Sequence, residues 1–130
     1  MTLDASPADG QPPVAAPRLG REALPPCDGR LALVMLTVRD AAGAPVTGAR
    51  LTTRRVGARA PFPVQPQEHG AGEYQLLDDS ALRHFRGGDQ TLAVTVAHGG
   101  RRRTVRQVVG TTAGGCHVVR RAGAEVVTLR

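Results

Sequence analysis

Cysteine and histidine are the residues of this sequence with the most reactive chemistry. The two cysteines, Cys27 and Cys116, are compatible with one disulfide but do not by themselves establish it. Cys116 adjoins His117, and a neighbouring imidazole can activate a thiolate for nucleophilic catalysis. Adjacent residues of a strand point to opposite faces, however, so we expect these two side chains not to meet. We interpret His117 as a surface histidine.

The sequence also contains no pattern typical of metal binding or acid–base catalysis. None of the four histidines is two or four positions from another, and no cysteine or carboxylate nearby completes a zinc motif. The histidines are His69, His84, His98 and His117. The acidic pair Asp78-Asp79 could bind a cation or act as an acid–base group, but with Ser80 it is more typical of a turn and helix N-cap. The sequence therefore predicts no catalytic residue, no metal and no cofactor.

Arginine supplies all of the positive charge. All 17 basic residues are arginines, against 11 acidic residues, which gives a formal net charge of +6. Lys, Ile and Asn are absent, as is typical of a GC-rich genome, so part of this excess reflects codon usage. The remainder favours acidic partners such as phosphate, acidic polysaccharide or an anionic membrane surface. The candidate anion-binding residues are Arg54, Arg55, Arg101, Arg102, Arg103, Arg120 and Arg121. Solvated strand faces and charged edges that block aggregation are the alternative interpretation of these clusters.

Length and composition exclude several classes of protein. A chain of 130 residues forms one ordinary domain. Aromatic residues make up only 2% of the chain, which argues against a stacking surface for single-stranded nucleic acid, and no motif predicts sequence-specific nucleic-acid binding. No apolar run approaches the roughly 20 residues of a transmembrane helix. A hydrolase would need a convergent pocket that the sequence does not indicate.

Alternating apolar and polar residues predict about seven short strands. Residues 91–98 have the clearest alternation, and Gly99-Gly100 predicts a tight turn into 102–109. The other predicted strands are 31–39, 46–56, 73–77, 117–121 and 125–129, and 62–64 could form a short edge strand. One helical turn is predicted over 81–85, with Leu82 and Phe85 directed inward. Because no segment has sustained helical periodicity, the pattern predicts an all-β, antiparallel β-sandwich of seven strands.

Two segments resemble motifs of the carboxypeptidase regulatory-like domains. Residues 37–52, TVRDAAGAPVTGARLT, resemble the turn from the first strand of that family into its second. Residues 72–76, GEYQL, resemble its G-x-Y-x-L strand, and residues 91–104 resemble the hairpin that follows. The resemblance covers about residues 27–130 and implies a seven-stranded Greek-key β-sandwich of the prealbumin-like (transthyretin-like) type, related to Ig-like folds. It implies no catalytic residues, and the fold is shared by many unrelated functions.

The resemblance also bears on the cysteines. Many bacterial members of this type have one cysteine just before the first strand and a second in a Gly-Cys-His-Val-like segment before the last strand. Cys27 and residues 115–118, GCHV, match that arrangement, so the resemblance implies a Cys27–Cys116 disulfide. If the first and last strands are parallel, both cysteines lie at one end of the sandwich. A disulfide between them would close a long loop and stabilise the fold by roughly 4.5 kcal/mol in the chain-entropy model. Two thiols in a reducing compartment are the alternative.

Two enzyme families with related sandwich folds do not match. Transthyretin-like hydrolases of urate breakdown end in a Tyr-Arg-Gly-Ser type signature, whereas this chain ends in VVTLR over 126–130. Intradiol dioxygenases bind iron through two tyrosines and two histidines, and this chain has one tyrosine, Tyr74.

The sequence thus predicts two regions and a non-enzymatic role. Residues 1–26, rich in Pro and Ala and without the apolar core of a signal peptide, are expected to be a disordered leader. Residues 27–130 are expected to be the β-sandwich domain, with a structural role or an interaction with protein, carbohydrate or a cell-envelope polymer. Binding of an anionic ligand through the arginine clusters is the alternative. The implied disulfide favours an extracytoplasmic location, periplasmic or secreted.

Overall fold

Eight strands make up most of the part of the chain that the structure describes. The structure is a computed structural model that describes Cys27 and residues 29–130, so the predicted leader at 1–26 lies outside the described residues. The strands are β1 (Leu33–Asp40), β2 (Arg50–Arg55), β3 (Gln67–Gly70), β4 (Glu73–Asp78), β5 (Gln90–His98), β6 (Arg101–Thr111), β7 (Val118–Gly123) and β8 (Val126–Leu129).

The strands form two four-stranded sheets. The first has the order β3-β4-β1-β8 and the second the order β2-β5-β6-β7. Neighbouring strands are antiparallel except for β8, which runs parallel to β1. The all-β prediction is confirmed, but eight strands are found among the described residues where seven were predicted, and the first sheet is mixed rather than wholly antiparallel.

One hydrophobic core lies between the sheets, because alternate residues of the central strands point inward. On β1, Val34, Leu36 and Val38 are buried, whereas Leu33 is 42% exposed. On β5 the inward series Leu92, Val94 and Val96 is buried in the same core cluster. Because side chains alternate along a strand, the residues between these buried positions lie on the outer faces of the sheets.

The proline-rich connection from β2 to β3 explains the misplaced edge strand. Residues 62–64, predicted as a strand, form none, and the edge strand is β3 instead. Pro61 and Pro63 have no N–H to donate to a ladder, and Phe62 turns into the core, where it is 2% exposed. Gln65 fixes this connection to β2: its side-chain amide accepts a hydrogen bond from Thr53 N and donates one to Thr53 O, each at 2.9 Å. The open edge of β2 is thereby covered.

A 3-10 helix over Asp79–Phe85 leads from β4 in the first sheet to β5 in the second. Asp78 caps it by accepting a hydrogen bond from Ser80 N at 2.9 Å, as predicted from the Asp-Asp-Ser sequence. Ala81 and Phe85 are buried, and Leu82 is half-buried. A second, short 3-10 helix over Ala113–Gly115 precedes Cys116. Neither of these helices in the described residues is long and apolar enough to cross a membrane.

Candidate functional site

Three rows of side chains cross the outer face of the second sheet. Each row takes one residue from β2, one from β5 and one from β6, because these strands pair without a register shift at these positions. The rows are Arg50–Ala97–Arg102, Thr52–Thr95–Thr104 and Arg54–Ala93–Arg106. Their neighbours along each strand, such as Leu51 and Val94, point into the core. All nine side chains of the rows therefore lie on one outward face.

These rows form a groove, because β5 presents only small side chains on this face while both of its neighbours present arginines. We call it the arginine groove: its walls are Arg50 and Arg54 on β2 and Arg102 and Arg106 on β6, all exposed. Its floor is Ala93, Thr95 and Ala97. The walls are two strand spacings apart, about 10 Å, and the two arginine rows lie four residues apart along the strands, about 13.5 Å.

Two surface concavities lie end to end along the floor of the groove. One, of about 440 Å³, is lined by Ala97, Arg50, Arg102 and the His98–Arg101 hairpin. The other, of about 490 Å³, is lined by Arg54, Arg102, Thr95 and by Arg59 and Pro61 of the connection after β2. Both are lined by Arg102, and neither has an acidic residue among its lining residues. The two concavities therefore share a wall residue and form one continuous groove lined by arginines.

Of the seven arginines predicted from sequence, three belong to this surface. Arg54 and Arg102 are wall residues, and Arg101 lines the concavity at the hairpin end. Arg55 faces the other way, with its guanidinium carbon 5.1 Å from the centre of the Phe62 ring. Arg103 also points away from the groove and donates a hydrogen bond to Thr128 O on β8 at 3.0 Å.

The other two predicted arginines lie near β7. Arg120 donates from Nε to Gln107 Oε1 at 2.6 Å and from Nη2 to Met35 O on β1. Burial lowers the pKa of its guanidinium. Arg121 donates to Thr111 O and lies 3.7 Å from a carboxylate oxygen of Asp89. The doublet Arg120-Arg121 is thus separated from the groove and is occupied by contacts within the fold.

Sequence reasoning missed Arg50, Arg106 and Arg59 because it looked for adjacent arginines. In a strand, residues that share a face are two apart, so a patch follows alternate positions. The signal was present: the pattern Arg-x-Thr-x-Arg occurs at 50–54 and again at 102–106. Pairing of β2 and β6 on either side of β5 brings the two copies opposite each other.

Two polar pairs, Asp79–His117 and Gln107–Arg120, make contacts between the two sheets. We call these four side chains the seam. The Asp79 carboxylate accepts hydrogen bonds from His117 Nδ1 at 2.6 Å, from Ala32 N at 3.0 Å and from Val118 N at 2.8 Å. The sequence assigned Asp79 to a helix cap and His117 to the surface, whereas Asp78 alone makes the cap and His117 is bound to Asp79.

Hydrogen bonding dominates the ionisation of Asp79. Burial raises the pKa of its carboxyl, but hydrogen bonds from His117 and from the backbone of Ala32 and Val118 lower that pKa further than burial raises it. The carboxylate therefore stays charged in the fold and ties the 3-10 helix to the beginnings of β1 and β7. Among the described residues no group of three or more His, Cys, Asp or Glu could hold a metal ion.

The disulfide between Cys27 and Cys116 is present, as the resemblance implied. The two Cα atoms are 5.3 Å apart, although 89 positions separate the residues in sequence. Because Cys116 directly precedes His117, the bridge anchors the segment before β1 beside the seam. Cys116 is thus part of a crosslink, and His117 directs its ring to Asp79.

Comparison with known proteins gave no match: no protein-family model, curated protein or solved structure is similar to this chain. The chemistry of the arginine groove is therefore inferred from its own residues.

Proposed function

We propose that this chain is a non-enzymatic binding module whose arginine groove holds an extended anionic polymer. The observation that supports this most directly is the register of β2, β5 and β6, which places arginines in pairs across a floor of small side chains. Of the two roles expected from sequence, the geometry favours the anionic ligand over a purely structural module. A cell-envelope polymer would be a partner of this kind.

The chemistry of arginine suits such a ligand. A guanidinium presents five donors in a planar fork that matches carboxylate, sulfate or phosphate oxygens in bidentate pairs. It also stays charged at every physiological pH, so the groove keeps its charge wherever the protein is located. Positive side chains on both walls act on the same bound chain, and this raises the local concentration of a polyanion along the groove.

The arrangement of the motif residues supports membership of the carboxypeptidase regulatory-like type. Asp40, the last residue of β1, accepts hydrogen bonds from Ala42 N and Ala44 N in the turn that follows, each at 2.9 Å. Gly72 packs so tightly that an added Cβ would lie 2.7 Å from the Cβ of Pro45, and its φ of +77° also favours glycine. Tyr74 donates to Val46 O at 2.7 Å. The two sequence motifs therefore contact each other, as the resemblance to this type of sandwich implies.

An extracytoplasmic location belongs to the same proposal, since a disulfide that closes a long loop is typical of oxidising compartments. Protein isolated from its native host without reductant should contain no thiol that can be alkylated, by intact-mass measurement. Two alkylated cysteines would instead place the chain in a reducing compartment.

The test of binding uses heparin as a generic polyanion and a matched pair of charge variants. Arg50→Gln/Arg102→Gln removes one facing pair from the groove, and the dissociation constant should rise about tenfold or more. The slope of log affinity against log salt should fall in magnitude by about two, since binding releases about one counterion fewer for each arginine contact that is lost.

The control is Arg83→Gln/Arg86→Gln, which removes the same charge from exposed positions at the 3-10 helix, outside the groove. This variant should keep both the affinity and the salt slope of the native protein. Equal losses in the two variants would show that net charge alone attracts the polymer, and would overturn the proposal.

A further inference from the structure

Charge is distributed along the arginine groove in two separated bands. Arg50 and Arg102 face each other at one height, and Arg54 and Arg106 at another, about 13.5 Å further along the strands. The groove axis follows β5, because its walls are the strands on either side of β5. A chain bound in the groove therefore meets an arginine pair, a row of threonines and a second arginine pair, and Arg102 also lines the concavity that holds Thr52 and Thr95.

Hydroxyl groups fill the stretch between the two bands. Thr52, Thr95 and Thr104 lie side by side across the three strands, and the hydroxyls of Thr95 and Thr104 are 2.9 Å apart and hydrogen-bonded. Each threonine hydroxyl has one donor and two acceptor positions, so this row retains capacity for a ligand. Neutral hydroxyl-bearing groups suit the row better than anions, because the side chains of the row itself carry no charge.

The aromatic residues exclude a stacking mode for nucleic-acid bases. The chain contains one tyrosine, two phenylalanines and no tryptophan, and Tyr74, Phe62 and Phe85 are each 2% exposed. Single-stranded nucleic acid binds through aromatic faces on which bases stack. It also carries a phosphate at every nucleotide, a density that would place anions against the threonine row as well as the arginines.

The groove is also held in shape before a ligand arrives. The connection that carries Arg59 and Pro61 is fixed by the two hydrogen bonds between the Gln65 side chain and Thr53, and by a hydrogen bond from Phe62 N to Thr53 O at 2.8 Å. Arg59 is thereby positioned beside Arg54 at one end of the floor. A wall fixed in this way lowers the entropy lost on binding.

From this alternation of arginine pairs and hydroxyls we infer that the polymer is a linear acidic polysaccharide in which charged sugars are separated by neutral ones. The inference rests on the proposed function, and it names the class of ligand for the same groove. Carboxylate or sulfate groups bind the two arginine bands, and the hydroxyls of the intervening sugars bind the threonine row.

The experiment compares three polyanions on the full chain: hyaluronate, whose sugars alternate between carboxylated and neutral, inorganic polyphosphate, and single-stranded DNA. The variant Thr52→Val/Thr104→Val removes two hydroxyls with little change in side-chain shape or charge. It should weaken hyaluronate binding about tenfold, the loss expected for two hydrogen bonds, and leave polyphosphate binding unchanged. Hyaluronate should also remain bound at a salt concentration that releases polyphosphate and DNA.

The outcomes separate the two proposals. If the threonine variant weakens all three ligands equally, or if DNA binds more tightly than hyaluronate, the polysaccharide inference is overturned while groove binding stands. If none of the three binds at low salt, both proposals are overturned. Selective loss of hyaluronate in the threonine variant, with general loss in Arg50→Gln/Arg102→Gln, supports both.

Discussion

In the arginine groove the guanidinium groups face solvent, whereas in the seam Arg120 is bound on two sides by protein. Arg120 donates to Gln107 and to the backbone carbonyl of Met35. Arg54 and Arg106 lie exposed on either side of the small residue Ala93. The comparison teaches that an arginine's position relative to the strand pairs, and not its neighbours in sequence, determines whether it supports the fold or is available for a ligand.

The difference has an origin in the pairing of β1. Strand β8 pairs with β1 only from Thr37 onward, so the first half of β1 lacks a strand on that side. Arg120 supplies a donor to Met35 O there, and Asp79 accepts from Ala32 N at the strand's beginning. The seam thus satisfies backbone groups that would otherwise be buried without partners. Strand β5 has paired neighbours on both sides and needs no such support.

Of all the substitutions considered, removal of the disulfide beside the seam should lower the free energy of unfolding most. Cys27→Ser/Cys116→Ser removes the restraint on a very long loop and should lower the free energy of unfolding by about 4 kcal/mol. Equilibrium urea unfolding measures this change, and native protein with reductant provides the matched control. An unchanged urea midpoint would contradict a stabilising role for the bridge.

Arg120→Met should cause the next largest loss of stability. The variant keeps an apolar stem but leaves the Met35 carbonyl and Gln107 without their charged donor, at a loss of about 3 kcal/mol. Arg121→Met is the control, since Arg121 has 47% of its side chain exposed and should contribute less than about 1 kcal/mol. Thermal unfolding of both variants measures the difference, and equal losses would argue against the distinct role of Arg120.

Local pattern predicted the strands, but long-range pairing created both polar clusters. The alternation in β5 and the Gly99-Gly100 turn are contained in the sequence, so that hairpin was predicted closely. The groove depends on which residue of β2 faces which residue of β5, about 40 positions apart, and alternation alone does not give register. Asp79 and His117 are 38 positions apart and meet only because the helix and β7 pack together. The cysteine pairing was predicted from family resemblance. The strand predicted at 62–64 was wrong, because Phe62 is buried in the core and does not pair in a sheet.

The variant Asp79→Asn tests the contribution of the seam through the pH dependence of the free energy of unfolding. The amide has one acceptor oxygen where the carboxylate receives three donors, so the variant should lose about 2 kcal/mol at neutral pH. Because the pKa of Asp79 is lowered in the fold, its contribution is fully present above the unfolded pKa and is lost as the pH falls below about 4.

Urea unfolding of native protein and Asp79→Asn between neutral and acidic pH measures this contribution. The gap between the two stability curves should begin to narrow as the pH falls below about 4, the ordinary pKa of an unfolded aspartate, and should close below the lowered pKa that Asp79 has in the fold. Asp78, whose pKa is lowered by hydrogen bonds from Ser80, still titrates in the variant, so its curve becomes flatter without becoming level. A constant gap between the curves down to acidic pH would mean that the Asp79 charge contributes nothing.

The smallest effect on stability is expected in the groove. Arg54→Gln/Arg106→Gln removes two exposed guanidinium groups and should change the free energy of unfolding by less than about 0.5 kcal/mol. At low salt the change should be slightly stabilising, because like charges about 10 Å apart across β5 repel each other over roughly a Debye length. Affinity for a polyanion should nevertheless fall as it does in Arg50→Gln/Arg102→Gln. A loss of stability as large as that in Arg120→Met would show that the groove arginines support the fold as the seam does, and their availability to a ligand would no longer explain why they lie in facing pairs.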